Sequence, residues 1–115
     1  MNFPHRGDLW LVNLDPTLGS EIKKTRPALI ISNDINNEYA QTITVIPVSD
    51  MGEKSYPFEV ALPKDTPGLD KASKAKCQQI RTIDKMRLIQ HLGKISEVLM
   101  ESVDKAVLIH LGINF

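Results

Sequence analysis

The side chains in this sequence best suited to chemistry are cations and hydroxyls. Residues 15 to 31, DPTLGSEIKKTRPALII, place Ser20, Lys23, Lys24 and Arg26 in a turn-rich stretch that runs straight into an apolar segment. Further along stand Ser49, Lys74, Lys76, Arg81 and Thr82. These groups suit phosphate. Arginine's planar fork meets phosphate oxygens with two parallel hydrogen bonds, and its charge does not depend on pH. Cleavage of an RNA strand through its own 2′-hydroxyl needs no metal. It needs a group to take the hydroxyl proton, a group to protonate the leaving 5′-oxygen, and donors for the charge that develops on the phosphorane. The chain supplies the donors readily, and the acid and base less obviously.

Other chemistries find less support. The histidines His5, His91 and His110 lack His-x-x-x-His spacing and a single cysteine forms no Cys-x-x-Cys pair, so neither a metal nor a cofactor is expected. His91 reads as a loop residue, and His110 as a core or interface residue. There is no glycine-rich phosphate loop and no G-x-S-x-G elbow. Cys77 cannot form an internal disulfide; it fits a reducing cytoplasm and the usual habit of free cysteine as a small buried apolar residue. Arg6-Gly7-Asp8 reads as a turn into the first strand.

The elements that position these groups belong to one domain spanning 1–115, long enough for a single core. Apolar residues make up 42% and charged residues 24%, ordinary values for a soluble globular chain. No run reaches the length of a membrane span, and MNFPHRGDLW lacks the apolar stretch of a secretory signal, so the expectation is a cytoplasmic protein with no membrane contact. Net charge is zero, but residues 64 to 94 carry eight cations against three carboxylates, a balance of +5. Residues 95 to 115 carry one cation against three carboxylates, a balance of −2. The basic patch either steers a polyanion or is a solvated face.

Short apolar runs at 9–14 (LWLVNL) and 28–31 (ALII) predict buried strands, the second started by the extended geometry that Pro27 favours. Trp10, inside the first run, is either core or a stacking platform for a base. Ser32, Asn33, Asp34, Asn36 and Asn37 offer turn or helix-capping chemistry. Residues 42–49, TITVIPVS, predict a strand that is an edge or carries a bulge, because Pro47 cannot donate to a ladder. FEVAL (58–62) alternates cleanly, with Phe58, Val60 and Leu62 on one face and Glu59 and Ala61 on the other. A loop over 63–72 follows. A strand over 74–80 turns Ala75 and Cys77 inward and sets Lys74, Lys76 and Gln78 in a row that resembles a binding surface. Ser96 is the N-cap of a final helix over 97–111. Its apolar face runs Leu99, Val103, Ala106, Val107 and His110, with further apolar residues elsewhere that favour a dimer. The fold class is α+β, a small, mainly antiparallel barrel with one late helix.

The chain resembles the MazF/PemK-type toxins of bacterial type II toxin–antitoxin systems. The motifs that carry the resemblance are RGDLWLVNLDPTLGSE (6–21), TRPALIISND (25–34), VIPVS (45–49) and QQIRTIDKMRL (78–88), in order along essentially the whole chain. The resemblance implies an SH3-like antiparallel barrel forming a homodimer, with RNA in a groove at the dimer interface. It implies a metal-independent endoribonuclease that cuts single-stranded mRNA at a short sequence and leaves 2′,3′-cyclic phosphate and 5′-hydroxyl ends. A cognate, MazE-like antitoxin would fold across the same groove.

By the same resemblance the arginine of the family's R-P motif falls on Arg26, its active-site threonine on Ser49, and a position that some members fill with histidine on Ser20. Where other members place an Arg-Cys-Asp acid/base set this chain has Lys76, Cys77 and Gln78, and Gln78 cannot act as a base. Arg26 is then the phosphate-binding and charge-stabilising residue, Ser49 a hydrogen-bonding partner, and the general base is unassigned. Lys23, Lys24, Lys74, Lys76, Gln78 and Arg81 line the RNA path, with Arg81 equally suited to an ion pair with Asp84. The stretch 16–25 is read as a flap over Arg26. The alternatives are a toxin of the same fold that acts by protein binding, as CcdB does on gyrase through its C-terminal helix, and a non-catalytic RNA-binding barrel.

Overall fold

The middle strands of this chain are apolar at nearly every position, because the sheet they form is covered on both faces. A computed structural model describes residues 3–52 and 54–114. The elements in order are β1 (Asp8–Asn13), β2 (Thr25–Ile30), a short helix α1 (Asp34–Tyr39), β3 (Thr42–Asp50), β4 (Glu59–Leu62), β5 (Ser73–Lys76), β6 (Arg81–Asp84), β7 (Leu88–Lys94) and α2 (Glu97–Leu111). All recorded pairings are antiparallel, in the order β4-β5-β3-β2-β1-β7, with β6 beside β3. The sheet curls without closing: among the described residues β4 and β7 remain its two ends.

Side chains alternate across a strand, so neighbouring residues feed opposite cores. Leu9, Leu29, Ile46 and Val48 point to one cluster, which α2 completes with Val103 and Ala106. Val12, Ala28, Ile30, Ile43 and Val45 point to the other, with Ile83 from β6. Trp10 packs on this second cluster and meets His91 edge to face at 5.4 Å. It is therefore a wall of the core. Cys77 is fully buried, and burial pushes its thiol up to about 11.

The caps form as their residue types dictate. Asn33 accepts from the Asn36 N–H at the start of α1, and Ser96 accepts from the Leu99 N–H at the start of α2. Gly112 ends α2 in the left-handed conformation, φ 70°. Arg6 and Gly7 do turn into β1, where Arg6 pairs with Asp104 of α2.

Four local expectations change. Pro47 is in a central strand, not at an edge. The Thr44 carbonyl faces β2, where it accepts from the Ile31 N–H (3.0 Å), so alternation turns the Pro47 backbone to the other side. On that side β3 passes from β6 (through Val45) to β5 (from Val48), and Pro47 falls in the interval where no ladder donor is needed. The strand expected over 74–80 stops at Lys76, and one 3-10 turn, Cys77–Gln79, redirects the chain into β6. His91 is not in a loop: it lies in β7 opposite Trp10, its Nε2 3.5 Å from the buried Asp8 carboxylate. His110 is exposed near the end of α2 and not in the core, its ring 5.9 Å from that of Phe58.

Candidate active site

Arg26 owes its position to the register of β2. Paired with Val12 of β1 and followed by Pro27, Ala28 and Leu29, it stands at the strand's exposed start while its successors sink into the core. Its Nε donates to the Lys23 carbonyl at 2.9 Å. The two terminal nitrogens of the fork have no hydrogen-bond partner among the described residues. They border a cleft of about 580 Å³ between the start of β2, the end of β3 and the 68–73 segment. Its floor is apolar, from Leu11, Val48, Leu69 and Leu92. Its rim is polar, from Lys24, Arg26, Ser49, Asp50, Asp70 and Lys71. That volume lies within the usual ~300–1,000 Å³ of small-ligand clefts.

Ser49 enters this cleft from the end of β3, where its hydroxyl has only a long contact (3.4 Å) to the Asp50 carbonyl. Lys24 also lines it, with a left-handed backbone (φ 72°) fixed by two bonds. Its N–H donates to Asp15 Oδ1 (3.0 Å) and its carbonyl accepts from the Leu14 N–H (3.0 Å). A non-glycine residue held there costs of order 1 kcal/mol and marks a place where the chain is over-determined. The opposite rim depends on two glycines. A Cβ on Gly93 of β7 would come within 2.6 Å of the Pro67 carbonyl oxygen, and one on Gly68 within 2.8 Å of the Leu92 backbone. The 63–72 loop therefore lies flush on β7, and this contact carries Leu69, Asp70 and Lys71 into the cleft.

The other expected site residues are elsewhere. Ser20 and Lys23 are exposed in the β1–β2 connection and do not border the cleft. That connection is not a free flap over Arg26. Gln79 holds it from below, its Oε1 accepting from the Ile22 N–H (3.3 Å) and its Nε2 donating to the Ser20 carbonyl (3.4 Å). Arg81 makes no ion pair with Asp84; it donates to the Leu14 carbonyl (3.3 Å), while Asp84 caps the turn at Met86.

Lys74, Lys76 and Gln78 do share a face, but it is closed. Glu59 of β4, its side chain 1% exposed, sits among them. Its carboxylate accepts from Lys74 Nζ at 2.9 Å and from Gln78 Nε2 at 2.6 Å, with Lys76 Nζ 4.0 Å away. Lys74 spends a further donor on the Lys54 carbonyl (2.7 Å). Burial pushes the Glu59 carboxyl up, but the bonds from Gln78 and Lys74 and the two ammonium charges outweigh it and hold it below its ordinary range. The expected open row is thus an ion cluster beside the cleft, with the Lys74 and Glu59 side chains buried and Lys76 partly exposed, and Lys74 is the cross-strand partner of Ser49. Glu59 was missed because strand alternation assigns its face without saying what covers it.

Asp50, Asp70 and Lys71 are rim residues that motif reasoning passed over. Lys71 Nζ is 2.9 Å from Asp50 Oδ1, in a pair whose side chains remain 64% and 74% exposed. The Asp50 hydrogen bond, then its charge, raises the Lys71 pKa, and the nearby Arg26 guanidinium works against that rise. Arg26, Lys71 and Asp50 therefore form one electrostatic group. The cleft offers a fork, a hydroxyl, ammonium groups and carboxylates over an apolar floor, which is a fitting reception for a phosphodiester with its sugar and base. Among the described residues no three histidine, cysteine or acidic side chains converge as a metal site.

Comparison with known proteins adds independent findings. A family model described as PemK-like, MazF-like toxin of type II toxin–antitoxin system matches residues 5–111. Endoribonuclease MazF9 of Mycobacterium tuberculosis is 41% identical over 113 residues, covering 94% of this chain and 96% of that relative. A crystal structure of MazF from Deinococcus radiodurans superposes with a TM-score of 0.84 at 27% identity, over 98% of this chain and all of that one. An endoribonuclease from a mycobacterial species, solved in complex with its cognate antitoxin, gives a TM-score of 0.81 at 21% identity, over 97% of this chain and 98% of that one.

Proposed function

This chain belongs to the PemK-like, MazF-like toxin family of type II toxin–antitoxin systems, and from that premise we propose that it is an endoribonuclease acting on single-stranded mRNA in the cytoplasm. The observation that carries the reading is the cleft with the unpaired end of the Arg26 fork and the uncommitted Ser49 hydroxyl on one rim. Relatives bearing the name endoribonuclease at 41% identity over nearly the whole chain support it. Arg26 binds the scissile phosphate with two parallel hydrogen bonds and stabilises the phosphorane. Ser49 donates to a phosphate oxygen or to the 2′-hydroxyl. Lys24 holds the neighbouring phosphate. Lys74, Lys76 and Gln78 act through Glu59 by fixing β4 against β5, and Arg81 and Ser20 hold the β1–β2 connection. The 2′-oxygen is the nucleophile, so the products are a 2′,3′-cyclic phosphate and a 5′-hydroxyl.

The working unit is a homodimer, and a cognate antitoxin covers the RNA groove. A complex of that kind exists for a structural neighbour. No helix among the described residues is long and apolar enough to cross a membrane. The test is incubation of the purified chain with a long RNA in excess EDTA. Discrete cuts are expected from the wild type and from a variant altered at 112–114, and none from Arg26→Ala. Intact RNA at micromolar wild-type protein would refute the reading. Intact RNA together with growth arrest that is lost only on changing 112–114 would favour a toxin that acts by protein binding.

A further inference from the structure

The base and the acid for the proposed cleavage remain to be found. The cleft rim holds no histidine: its proton-transfer groups, besides Arg26, are Lys24, Asp50, Asp70 and Lys71. Two of these already form a matched couple, Lys71 Nζ lying 2.9 Å from Asp50 Oδ1. Asp50 ends β3, on the strand face opposite Ser49, and both residues border the cleft. Lys71 comes from the facing segment, within electrostatic reach of the Arg26 guanidinium. A base and an acid from two segments thus meet on the rim of the cleft that Arg26 and Ser49 border. Asp70 borders the same cleft but has no recorded bond to any of these groups.

On the reading that this cleft cleaves RNA, we propose that Asp50 is the general base and Lys71 the general acid. As the 2′-oxygen bonds to phosphorus, its proton passes to a carboxylate oxygen of Asp50. The P–O5′ bond breaks with its electron pair going to O5′, and Lys71 Nζ gives that oxygen a proton. The products are the 2′,3′-cyclic phosphate and the 5′-hydroxyl. The protein is left with a neutral carboxyl and a neutral amine. One proton returning from Asp50 to Lys71 restores the starting pair, with no net proton exchanged with solvent. The exposure of both side chains suits this cycle, because an exposed pair is weakly held and an incoming phosphate can part it.

Single-turnover cleavage of one defined RNA in EDTA tests the assignment. Asp50→Asn is expected to slow the bond-breaking step by about 100- to 10,000-fold, with substrate affinity nearly kept, and to abolish the acidic limb of the pH–rate profile. Asp50→Glu should recover part of the rate. Lys71→Ala is expected to slow a normal RNA by a similar factor, yet to regain near-wild-type rate on the same RNA with sulfur at the scissile 5′-position, since a thiolate leaves without a proton. Asp50→Asn should gain nothing from that substrate. The proposal is overturned if Asp50→Asn cleaves within about threefold of wild type with its pH profile intact, or if Lys71→Ala is equally slow on both substrates. A wild type that cuts neither RNA overturns the endoribonuclease reading, and this assignment with it.

Discussion

Arg26 differs from the lysines around it in how it is held. Its Nε is tied to the Lys23 carbonyl and its backbone is locked into β2, so the fork's free end points to one place. Arg26→Lys keeps the charge and loses the fork; it is expected to lower kcat/KM by at least about 100-fold, the scale of one transition-state donor. Lys23→Ala, outside the cleft, is expected to change it by no more than a few fold. Rates on one RNA decide between a fork requirement and a charge requirement. Glu59 gives a prediction of another kind. Its folded pKa lies below its ordinary value of 4.5, so its contribution is fully present above that pH and is lost as pH falls through the folded value. The Tm should therefore drop as pH falls below about 4.5. Glu59→Gln should flatten that drop, and should cost about 3 kcal/mol at neutral pH because it leaves Lys74 buried without its counter-charge. Denaturant melts at pH 7 and pH 4 measure both effects.

At the scale of elements, the rim of the cleft is set by how the 63–72 loop seats on β7. Gly93→Ala forces a Cβ onto the Pro67 carbonyl, so the loop must lift and take Lys71 with it. We expect activity to fall at least tenfold while the protein stays folded. Gly112→Ala at the end of α2 has open space around its Cβ and only the strain of φ 70° to bear. It should cost about 1 kcal/mol and leave cleavage unchanged. Circular dichroism melts with parallel cleavage rates separate the two. This contrast also marks what was legible in the sequence. The Ser96 cap, the strands at 9–14, 28–31 and 42–49, and the inward Ala75 and Cys77 are local patterns, and all formed. So did Arg26 at the edge of a core strand. The neighbours of those strands were not legible. Pro47 forbids a ladder bond, but only the change of partner from β6 to β5 shows how a central strand meets that condition. Alternation placed Lys74 and Glu59 on chemically plausible faces, yet it could not reveal that the two faces are one. Nor could it reveal that a glycine contact between distant segments carries Lys71 to Arg26.

For the whole molecule, charge is a matter of placement. The chain is neutral, while the cleft rim carries Lys24, Arg26 and Lys71 against Asp50 and Asp70. RNA binding should therefore be salt-dependent but modestly so. Three phosphate contacts give a slope of log K against log salt of about −2, at roughly 0.7 per contact on a single strand. Lys24→Ala should reduce it by about 0.7, as read by titrating an uncleavable oligonucleotide at several salt concentrations. Assembly follows from the apolar residues left outside. Met86 is 91% exposed and Val98 74%, with Ile35 and Tyr39 on α1 similarly bare. Such surface suits a second copy and an antitoxin segment better than water.

The central claim is that this cleft breaks RNA by using the substrate's own 2′-hydroxyl, and a single-atom change in the substrate tests it most directly. Two oligonucleotides carrying one cleavage site would be compared in EDTA, identical except for a 2′-deoxy sugar on the 5′ side of the scissile phosphate. The account predicts that the protein binds both with similar affinity, cuts only the ribose form, and leaves a 2′,3′-cyclic phosphate and a 5′-hydroxyl. Cleavage of the deoxy substrate at that bond, or a 5′-phosphate on the product, would contradict it.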